Sequence, residues 1–530
     1  MRWLSASRAL RAVAAAAVIA GASVAGVDAR APSAPGYALA NVGAYGGEPS
    51  IVSDSKGRLY DTTPEGGTVT YRSTTAGKTW QQVTTADPNS GDDCLATDQS
   101  NAVYLCNLAG SEGVAPLQAD VWKSVDGGTT WTHGEGALPQ CATSCSPFGV
   151  DRDWVAASIL SGTSTAKAEV VLMYHDFYGP SQIWVNISRD GGATFGAPVE
   201  VLAQPAVTPG AIAGTLVAQG YTFCNTVPAG VAIVPPGAPH AGRIIVGWIA
   251  ADLPQNATGC NVTMAQSFHT VWISYSDDGG QTWTPQQAFD AGVGHDTSTP
   301  FVGFATDTRG DPYFGLAVNL NSNPATCAAE SAAGTVQSDP SCEYDMYVVW
   351  SSDGGATWDG GGGVVPGSAA NAYRVNPTSD TGTHFFPAIA AGSPGRVDVG
   401  YLRAPQIDPT DALGKVLPGG CAGPGPANGN PPTYPPACQW NLYAGQSLDL
   451  TAGVSGAHWA ISQATTTPIH IGDICNLGIF CVGPTSDRDL LDFITVAVDN
   501  HGYAHVAYAD DNTVGKMRVA NQTSGPSVYK

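Results

Sequence analysis

The stretch Val271-Trp-Ile-Ser-Tyr-Ser276-Asp277-Asp278-Gly279-Gly280-Gln281-Thr282-Trp283 decides the fold. An apolar, β-prone run ends on a serine, and a turn follows. The Asp278 carboxylate is placed to accept hydrogen bonds from the backbone N–H groups of that turn. The glycines supply left-handed backbone, and the closing aromatic tucks under the neighbouring hairpin. The phrase Ser-x-Asp-x-Gly-x-Thr-Trp/Phe recurs intact at Ser124–Trp131, Ser188–Phe195 and Ser351–Trp358. A further copy, Ser73–Trp80, carries Thr75 in place of the aspartate. Copies tens of residues apart at irregular steps mark a repeated sheet unit with variable loops, which makes the chain all-β and a β-propeller.

A second pattern runs in phase with the first: apolar strand, polar turn, apolar strand. Phe301–Asp307 followed by Pro312–Val318, and Phe493–Asp499 followed by Ala504–Tyr508, are examples. Nearly unbroken apolar strands suit positions covered on both faces. Seven such hairpins begin near residues 48, 94, 153, 229, 299, 385 and 492. The spacing predicts seven blades, with six as the alternative if one hairpin belongs to an insertion. The last unit lacks an outer strand, which the N-terminal segment Tyr37–Val42 is expected to supply. The sixth unit, Leu442 to Trp459, shows no clear copy of the turn phrase.

The turn phrase is the Asp-box, or bacterial neuraminidase repeat, and the chain resembles the sialidase superfamily over roughly residues 40–525. The resemblance implies that the Asp-boxes are structural and that a site, if present, lies on the opposite face. It implies three arginines on a sugar carboxylate, an aspartate acid/base and a tyrosine nucleophile assisted by glutamate. Residues falling on that face include Arg152, Arg403 and Arg488 for the arginines, Asp153 or Asp176 for the acid, and Tyr401 or Tyr508 for the phenol. The family's Arg-Ile-Pro signature has no counterpart, since the corresponding region reads Gly46-Gly-Glu-Pro-Ser50.

The tripeptide Asp-Arg-Asp occurs at 151–153 and again at 487–489, each time just before an apolar strand. It reads either as a binding rim for carboxylate or hydroxyls or as an ion-pair staple that repeats because the blade repeats. Asp153 and Asp489, facing across the axis, would instead suit hydrolysis of another glycoside. His175, His295 and His384 read as a metal or acid/base cluster or as polar lining. Trp154, Phe385 and Phe386 read as sugar platforms or as plugs between blades. No contiguous loop has EF-hand spacing, so no cofactor is expected and calcium is left open.

The chain has 530 residues, 65 glycines, 38 prolines and only 12% charged residues. Arg2, Arg8 and Arg11 precede the apolar run Ala12–Ala25, and Val27-Asp28-Ala29 offers a cleavage site. Residues 1–29 are therefore expected to be an export signal and residues 30–530 a single propeller domain. The formal charge is −22; residues 1–29 hold three arginines and one aspartate, so removing them leaves −22 − 2 = −24. Such a balance excludes nucleic acid as a partner, and no second stretch long enough for membrane insertion appears. Twelve cysteines in an exported chain suggest six disulfides, paired as neighbours: 94/106, 141/145, 224/260, 327/342, 421/438 and 475/481. The expectation is a secreted, monomeric protein with a carbohydrate or glycoconjugate partner. It is either a glycoside hydrolase related to exo-sialidases or a non-catalytic propeller that binds glycans or proteins.

Overall fold

The computed structural model describes residues 33–530 except 44, 65–66, 110–116, 136–148, 161–163, 165–166, 177–182, 202–214, 217–220, 255–267, 293–294, 296, 298–300, 321–343, 359–371, 381, 405–438, 473 and 475–488. The expected export signal lies outside the described residues.

Seven antiparallel sheets follow one another along the chain, so the six-bladed alternative falls. Blade 1 runs Ser50–Ser53, Leu59–Pro64, Thr68–Ser73 and Gln81–Gln82. Blade 2 runs Ser90–Thr97, Val103–Ala109, Gln118–Ser124 and Thr132–His133, and blade 3 runs Val150–Ser158, Glu169–Asp176, Ile183–Ser188 and Val199–Glu200. Blade 4 is built on Tyr221–Ile233, Ile244–Pro254, Thr270–Ser276 and Thr284–Asp290, with Thr215–Leu216 added at its inner edge. Blade 5 runs Gly303–Thr306, Pro312–Val318, Asp345–Trp350 and Tyr373–Arg374, and blade 6 runs Thr383–Ala391, Val397–Ala404, Gln439–Ser447 and Ala460–Gln463. Blade 7 holds Thr495–Val498, Ala504–Asp510 and Lys516–Ser524, and the N-terminal strand Gly36–Asn41 completes it, pairing Tyr37 with Gln522 and Asn41 with Arg518. Each blade's first main strand touches those of both neighbouring blades, which closes the ring.

Blade packing explains the apolar runs. Pro312–Val318 and Ala504–Asp510 are buried at every position, because both faces of these strands lie against other blades. Gln81–Gln82, at the outer edge, is exposed.

The turn phrase folds as its chemistry requires. In blade 4, Ser276 Oγ accepts from the Gly280 N–H at 2.8 Å and donates to Asp278 Oδ1 at 2.8 Å. Asp278 accepts from the N–H groups of Gln281 and Thr282 and from Thr282 Oγ1. The same bonds recur around Asp126, Asp190 and Asp353. In blade 1 the Thr75 hydroxyl takes the carboxylate's place, accepting from the Thr79 N–H at 3.0 Å. Blade 6 holds a related staple that the sequence hides. There Ser447 donates to Asp449, which accepts from the His458 N–H at 2.9 Å and faces His458 Nδ1 at 2.8 Å. An insertion between Asp449 and His458 breaks the spacing on which the pattern depends.

These staples also join blades. Arg72 of blade 1 donates to the Gly127 carbonyl of blade 2 at 2.9 Å, and Lys123 of blade 2 to Gly191 of blade 3 at 2.7 Å. Arg189 of blade 3 donates to Gly279 of blade 4, and Arg243 of blade 4 to Gly354 of blade 5 at 2.8 Å. Asn521 of blade 7 reaches Gly77 of blade 1 at 3.0 Å. Gly280 has φ +86°, and a Cβ there would collide with Ile187 of blade 3, so glycine is required for both the turn and the joint. Two other joints use different parts. The Tyr313 hydroxyl of blade 5 accepts from the Gly395 N–H of blade 6 at 2.8 Å. Arg396 of blade 6 donates to the Val528 carbonyl of the C-terminal segment at 3.0 Å, and Val528 N–H in turn bonds Gly502 of blade 7.

Cys94 and Cys106 form a disulfide as expected, across the first hairpin of blade 2. The other five expected pairs each have at least one cysteine outside the described residues. Among the described residues no helix is long and apolar enough to cross a membrane.

Two outcomes test this account. Arg243 is buried, makes a bidentate pair with Asp277 and lies 4.0 Å from the Tyr275 ring centroid. Arg243→Ala should therefore destabilise by about 2–4 kcal/mol, and Ser276→Ala by about 1–2 kcal/mol, in denaturant unfolding; effects below a few tenths would deny the joint its role. The second concerns pH. Burial raises the carboxyl of Asp61 to about 8 and that of Asp398 to about 7. Between the unfolded value near 3.8 and these values the folded chain holds protons that the unfolded chain releases, so stability falls as pH rises through that window. Asp126 runs the other way: hydrogen bonds led by the Thr130 N–H lower it to about 2, so its contribution is lost as pH falls toward that value. The melting temperature should peak on the acid side of neutrality and decline toward alkaline pH, with a shallower decline in Asp398→Asn.

Candidate functional site

The face opposite the staples carries the starts of the first strands and the ends of the second. Four blades carry a one-residue irregularity between their first and second strands, blade 4 between Phe223 and Asn225 and between Pro228 and Gly230. In blade 3, Asp151 pairs with His175 and Trp154 with Met173, so Arg152 and Asp153 fall out of the ladder. Blade 2 is bulged between Ser90 and Asp93, and blade 6 between Phe385 and Ala388. Each bulge adds one residue and re-aims the side chains beside it. Glu48, Phe386 and Leu491, also at strand starts, have φ between 48° and 57°. Non-glycine residues in that region store strain, which collects where a site is held in place.

The bulges of blades 2 and 3 build one buried polar cluster. Asp153 is 0% and Arg152 2% exposed. The Arg152 guanidinium carbon lies 4.5 Å from the Trp154 ring centroid and 4.4 Å from that of Phe493. Its Nη2 donates to the Asp93 carbonyl at 3.2 Å, and Nη1 sits 4.0 Å from Asp153 Oδ1. Burial works against the arginine's charge, but Asp92, Glu48, Asp153 and Asp93 outweigh it and raise its pKa. Burial also pushes Asp153 up to about 7, with Arg152 pulling down and Asp92 pushing up. Asp151 rises well above the usual carboxylate range, by burial first and then by the field of Asp92. Burial raises Asp93 too, against the hydroxyl of Thr62 at 2.8 Å. Both carboxylate oxygens of Asp153, Oδ1 of Asp93 and Asp151, and Nε and Nη1 of Arg152 find no hydrogen-bond partner among the described residues.

Aromatic rings adjoin the cluster. Phe493 of blade 7 lies 5.7 Å from Trp154 and 5.6 Å, edge-on, from Phe301, just before the first strand of blade 5. These rings pack together from blades 3, 7 and 5, and Trp154 is partly exposed. Phe385 and Phe386 are fully packed, Phe385 between Tyr344 and Trp440, and are not platforms.

The remaining expected residues are placed differently. Arg403 makes a bidentate pair with Asp380, with Nε at 2.8 and 3.1 Å from its oxygens, and lies over Tyr443. Burial opposes the charge of Asp380, but His384 and Arg403 hold its carboxyl far below the usual range. Burial raises the phenols of Tyr401 and Tyr508, so both stay protonated at neutral pH. Tyr508 sits in the apolar core with its hydroxyl unpartnered among the described residues. Asp176 pairs with Val150 through the backbone ladder, next to Asp151. Arg488 lies outside the described residues, and Asp489 is exposed. The blade 7 carboxylate in the field of Asp151 is Asp492. His175, His295 and His384 do not gather: their Nδ1 atoms face the carbonyls of Thr226, Asn319 and Tyr344 at 2.7–3.0 Å. Burial lowers His175 to about 4, so it is neutral. Among the described residues no group of His, Cys, Asp or Glu is arranged to hold a metal ion.

Asp92, Asp93 and Asp492 were not legible as site residues. The signal present was a carboxylate just before an apolar strand; at Asp92 and Asp93 it coincides with the bulge of blade 2.

Replacing Asp153 by asparagine should raise stability relative to the parent above about pH 8 and not near pH 5, because the ionised carboxylate is the costly form there. Thermal melting at both pH values checks this; a gap independent of pH would place Asp153 in solvent.

No family model matches the chain. Among solved structures it is similar to a polysaccharide lyase, an ulvan lyase, at 11% identity and a TM-score of 0.45, over 92% of this chain and 94% of that one. It is similar to a Trypanosoma rangeli sialidase in complex with an inhibitor, at 14% identity and 0.39, over 92% of this chain and 60% of that one. It is also similar to a Penicillium chrysogenum α-L-arabinanase complexed with arabinobiose, at 12% identity and 0.39, over 69% and 94%.

Proposed function

We propose that this protein is a secreted glycoside hydrolase that works from the bulged face of blades 2 and 3. The observation that carries the reading is Asp153: a buried carboxyl, without a hydrogen-bond partner among the described residues, held 4.0 Å from Arg152 and raised to about 7. A carboxyl that keeps its proton near neutrality is suited to general acid work. It would protonate the glycosidic oxygen as the C–O bond breaks. Water would then add to the anomeric carbon and lose its proton to a carboxylate of the cluster that is ionised in that state. Crowded carboxyls cannot all ionise, so one stays loaded while another accepts. Arg152 steadies the carboxylate that Asp153 becomes on giving up its proton, and Trp154, partly exposed, adds apolar surface.

The residues favour a sialidase-related scaffold over sialidase chemistry itself. Arg403 is already engaged by Asp380, and Arg152 lies among carboxylates. A second reading, a glycan-binding propeller without turnover, is favoured by the near-complete burial of Arg152 and Asp153.

Purified protein should hydrolyse members of a panel of fluorogenic glycosides, with kcat/KM falling as pH rises through about 7 and Asp153→Asn losing about 10²-fold or more. Binding of glycans without turnover of any glycoside would establish the second reading instead. Turnover unchanged in folded Asp153→Asn would remove the site from this face.

A further inference from the structure

We propose that residues 525–530 form a pH-operated strap across the seam between blades 6 and 7, tied through Gln446 to the Asp398 carboxyl and released when that carboxyl ionises. The strap has bonds to both blades. The Val528 carbonyl accepts from Arg396 Nε and from the Ser393 N–H of blade 6, both at 3.0 Å. The Ser527 carbonyl accepts from Arg396 Nη2 at 2.6 Å, and Ser393 Oγ accepts from the Lys530 N–H at 3.0 Å. On the other side the Val528 N–H donates to the Gly502 carbonyl of blade 7 at 3.0 Å. The Pro526 carbonyl accepts from Gln446 of blade 6 at 3.1 Å and from Gln522 of blade 7 at 3.0 Å.

Gln446 joins this strap to a buried acid. Its Nε2 donates to the Pro526 carbonyl and also to Asp398 Oδ1, the latter at 2.8 Å. Asp398 is 1% exposed and pairs with Ala390 on one side and Gln446 on the other within blade 6. Asp398 Oδ2, Gln446 Oε1 and the hydroxyl of Tyr37, on the strand that completes blade 7, are buried with no hydrogen-bond partner among the described residues. A carboxylate buried as an ion needs donors at both oxygens, and this one has a single amide. Burial accordingly raises Asp398 to about 7, against the Gln446 amide and then the Arg396 charge. From the closing strand, Tyr37 faces it with a phenol raised by burial first and then by Asp398 itself. The strap's own phenol, Tyr529, is raised by burial and then by Asp499 of blade 7, so both tyrosines keep their protons while Asp398 titrates.

The strap is the part of this enclosure that can yield. Lys516–Ser524 is laddered on both edges, to Ala504–Asp510 and to Gly36–Asn41. Residues 525–530 belong to no ladder, and of their side chains only that of Val528 is buried. Segments with few buried contacts open at lower free energy than laddered strands. Opening hydrates Asp398 and returns it from about 7 toward its ordinary 3.8. The open form therefore releases a proton between those values. Opening becomes easier as pH rises through that window and levels off above it. Ionisation also draws on the strap's own fastenings, because Arg396 and Gln446 act on Asp398 as well as on the strap.

The experiment is hydrogen exchange of the purified full chain, read by mass spectrometry at about pH 5.5, pH 8 and pH 9 and corrected for intrinsic exchange rates. Each measurement is repeated in about 1 M urea, which accelerates exchange through global unfolding and leaves exchange through small local openings unchanged. Peptides covering 392–396 and 525–530 report the strap, and those covering the strands of blade 3 report the ring. Strap protection is expected to fall about tenfold or more from the lowest pH to the middle one, to change little beyond it, and to be insensitive to urea. Folded Asp398→Asn, which keeps an acceptor for Gln446 and cannot ionise, should show strap protection independent of pH. Strap protection in the parent that does not change with pH would overturn the proposal. So would strap exchange that accelerates with urea as blade 3 does, or the parent's pH dependence persisting in folded Asp398→Asn. The first two outcomes need only the parent chain, so they decide the matter even where the variant does not fold.

Discussion

One bond holds this ring together by repetition: a long polar side chain of one blade donates to a glycine carbonyl in the stapled turn of the next. Arg72, Lys123, Arg189 and Arg243 make it in succession, and Asn521 makes it across the closure from blade 7 to blade 1. The bond needs a carbonyl held at a fixed height, and the turn supplies it because its serine and aspartate leave the backbone no other arrangement. The glycines serve twice, since they permit the left-handed turn and let the neighbouring blade approach. A propeller has no continuous sheet to carry order from blade to blade. Its register therefore depends on such joints and on the apolar packing between faces.

Placing all rigidity on one face frees the other. At the opposite face, bulges lift Arg152 and Asp153 out of the ladder and turn the start of blade 2 inward. The Cys94–Cys106 disulfide follows directly after the bulged segment and holds the strands in register beyond it. Buried carboxyls accumulate where the joints do not reach. They are unfavourable as ions, so they keep protons that exposed aspartates would have lost. The stapled aspartates show the opposite behaviour for the opposite reason: with several N–H donors aimed at it, the Asp126 carboxylate is favoured as an ion. One residue type thus serves as anchor in the stapled turns and as proton store beside Arg152, according to its donors and its burial.

The histidines illustrate how position decides use. On sequence grounds His175, His295 and His384 fall on the same face, and a cluster is a reasonable expectation. Each is turned instead toward a backbone carbonyl, and His175 and His384 thereby cross from one blade to the next. The two tyrosines fare similarly. Tyr401 and Tyr508 reach the right end of their strands, but strand alternation buries their rings between blades.

The sequence by itself determined the architecture as an all-β propeller, pointed to seven blades with six as the alternative, and located the closing N-terminal strand and five stapled turns. It could do so because these features are local. A turn is specified by a handful of consecutive residues, and a doubly covered strand by its unbroken apolar run. It also singled out Asp151, Arg152 and Asp153, since a charged triplet before an apolar strand is conspicuous. It missed the blade 6 staple, where Asp449 waits nine residues for His458, because a pattern of fixed spacing cannot see across an insertion. Only the tertiary structure decided that Asp93 joins Arg152, that Asp492 acts on Asp151, that Arg403 belongs to Asp380, and that Asp489 is exposed. Those outcomes depend on which way a bulge turns a side chain and on what the next blade places opposite it. Both are set by contacts between residues far apart in the chain.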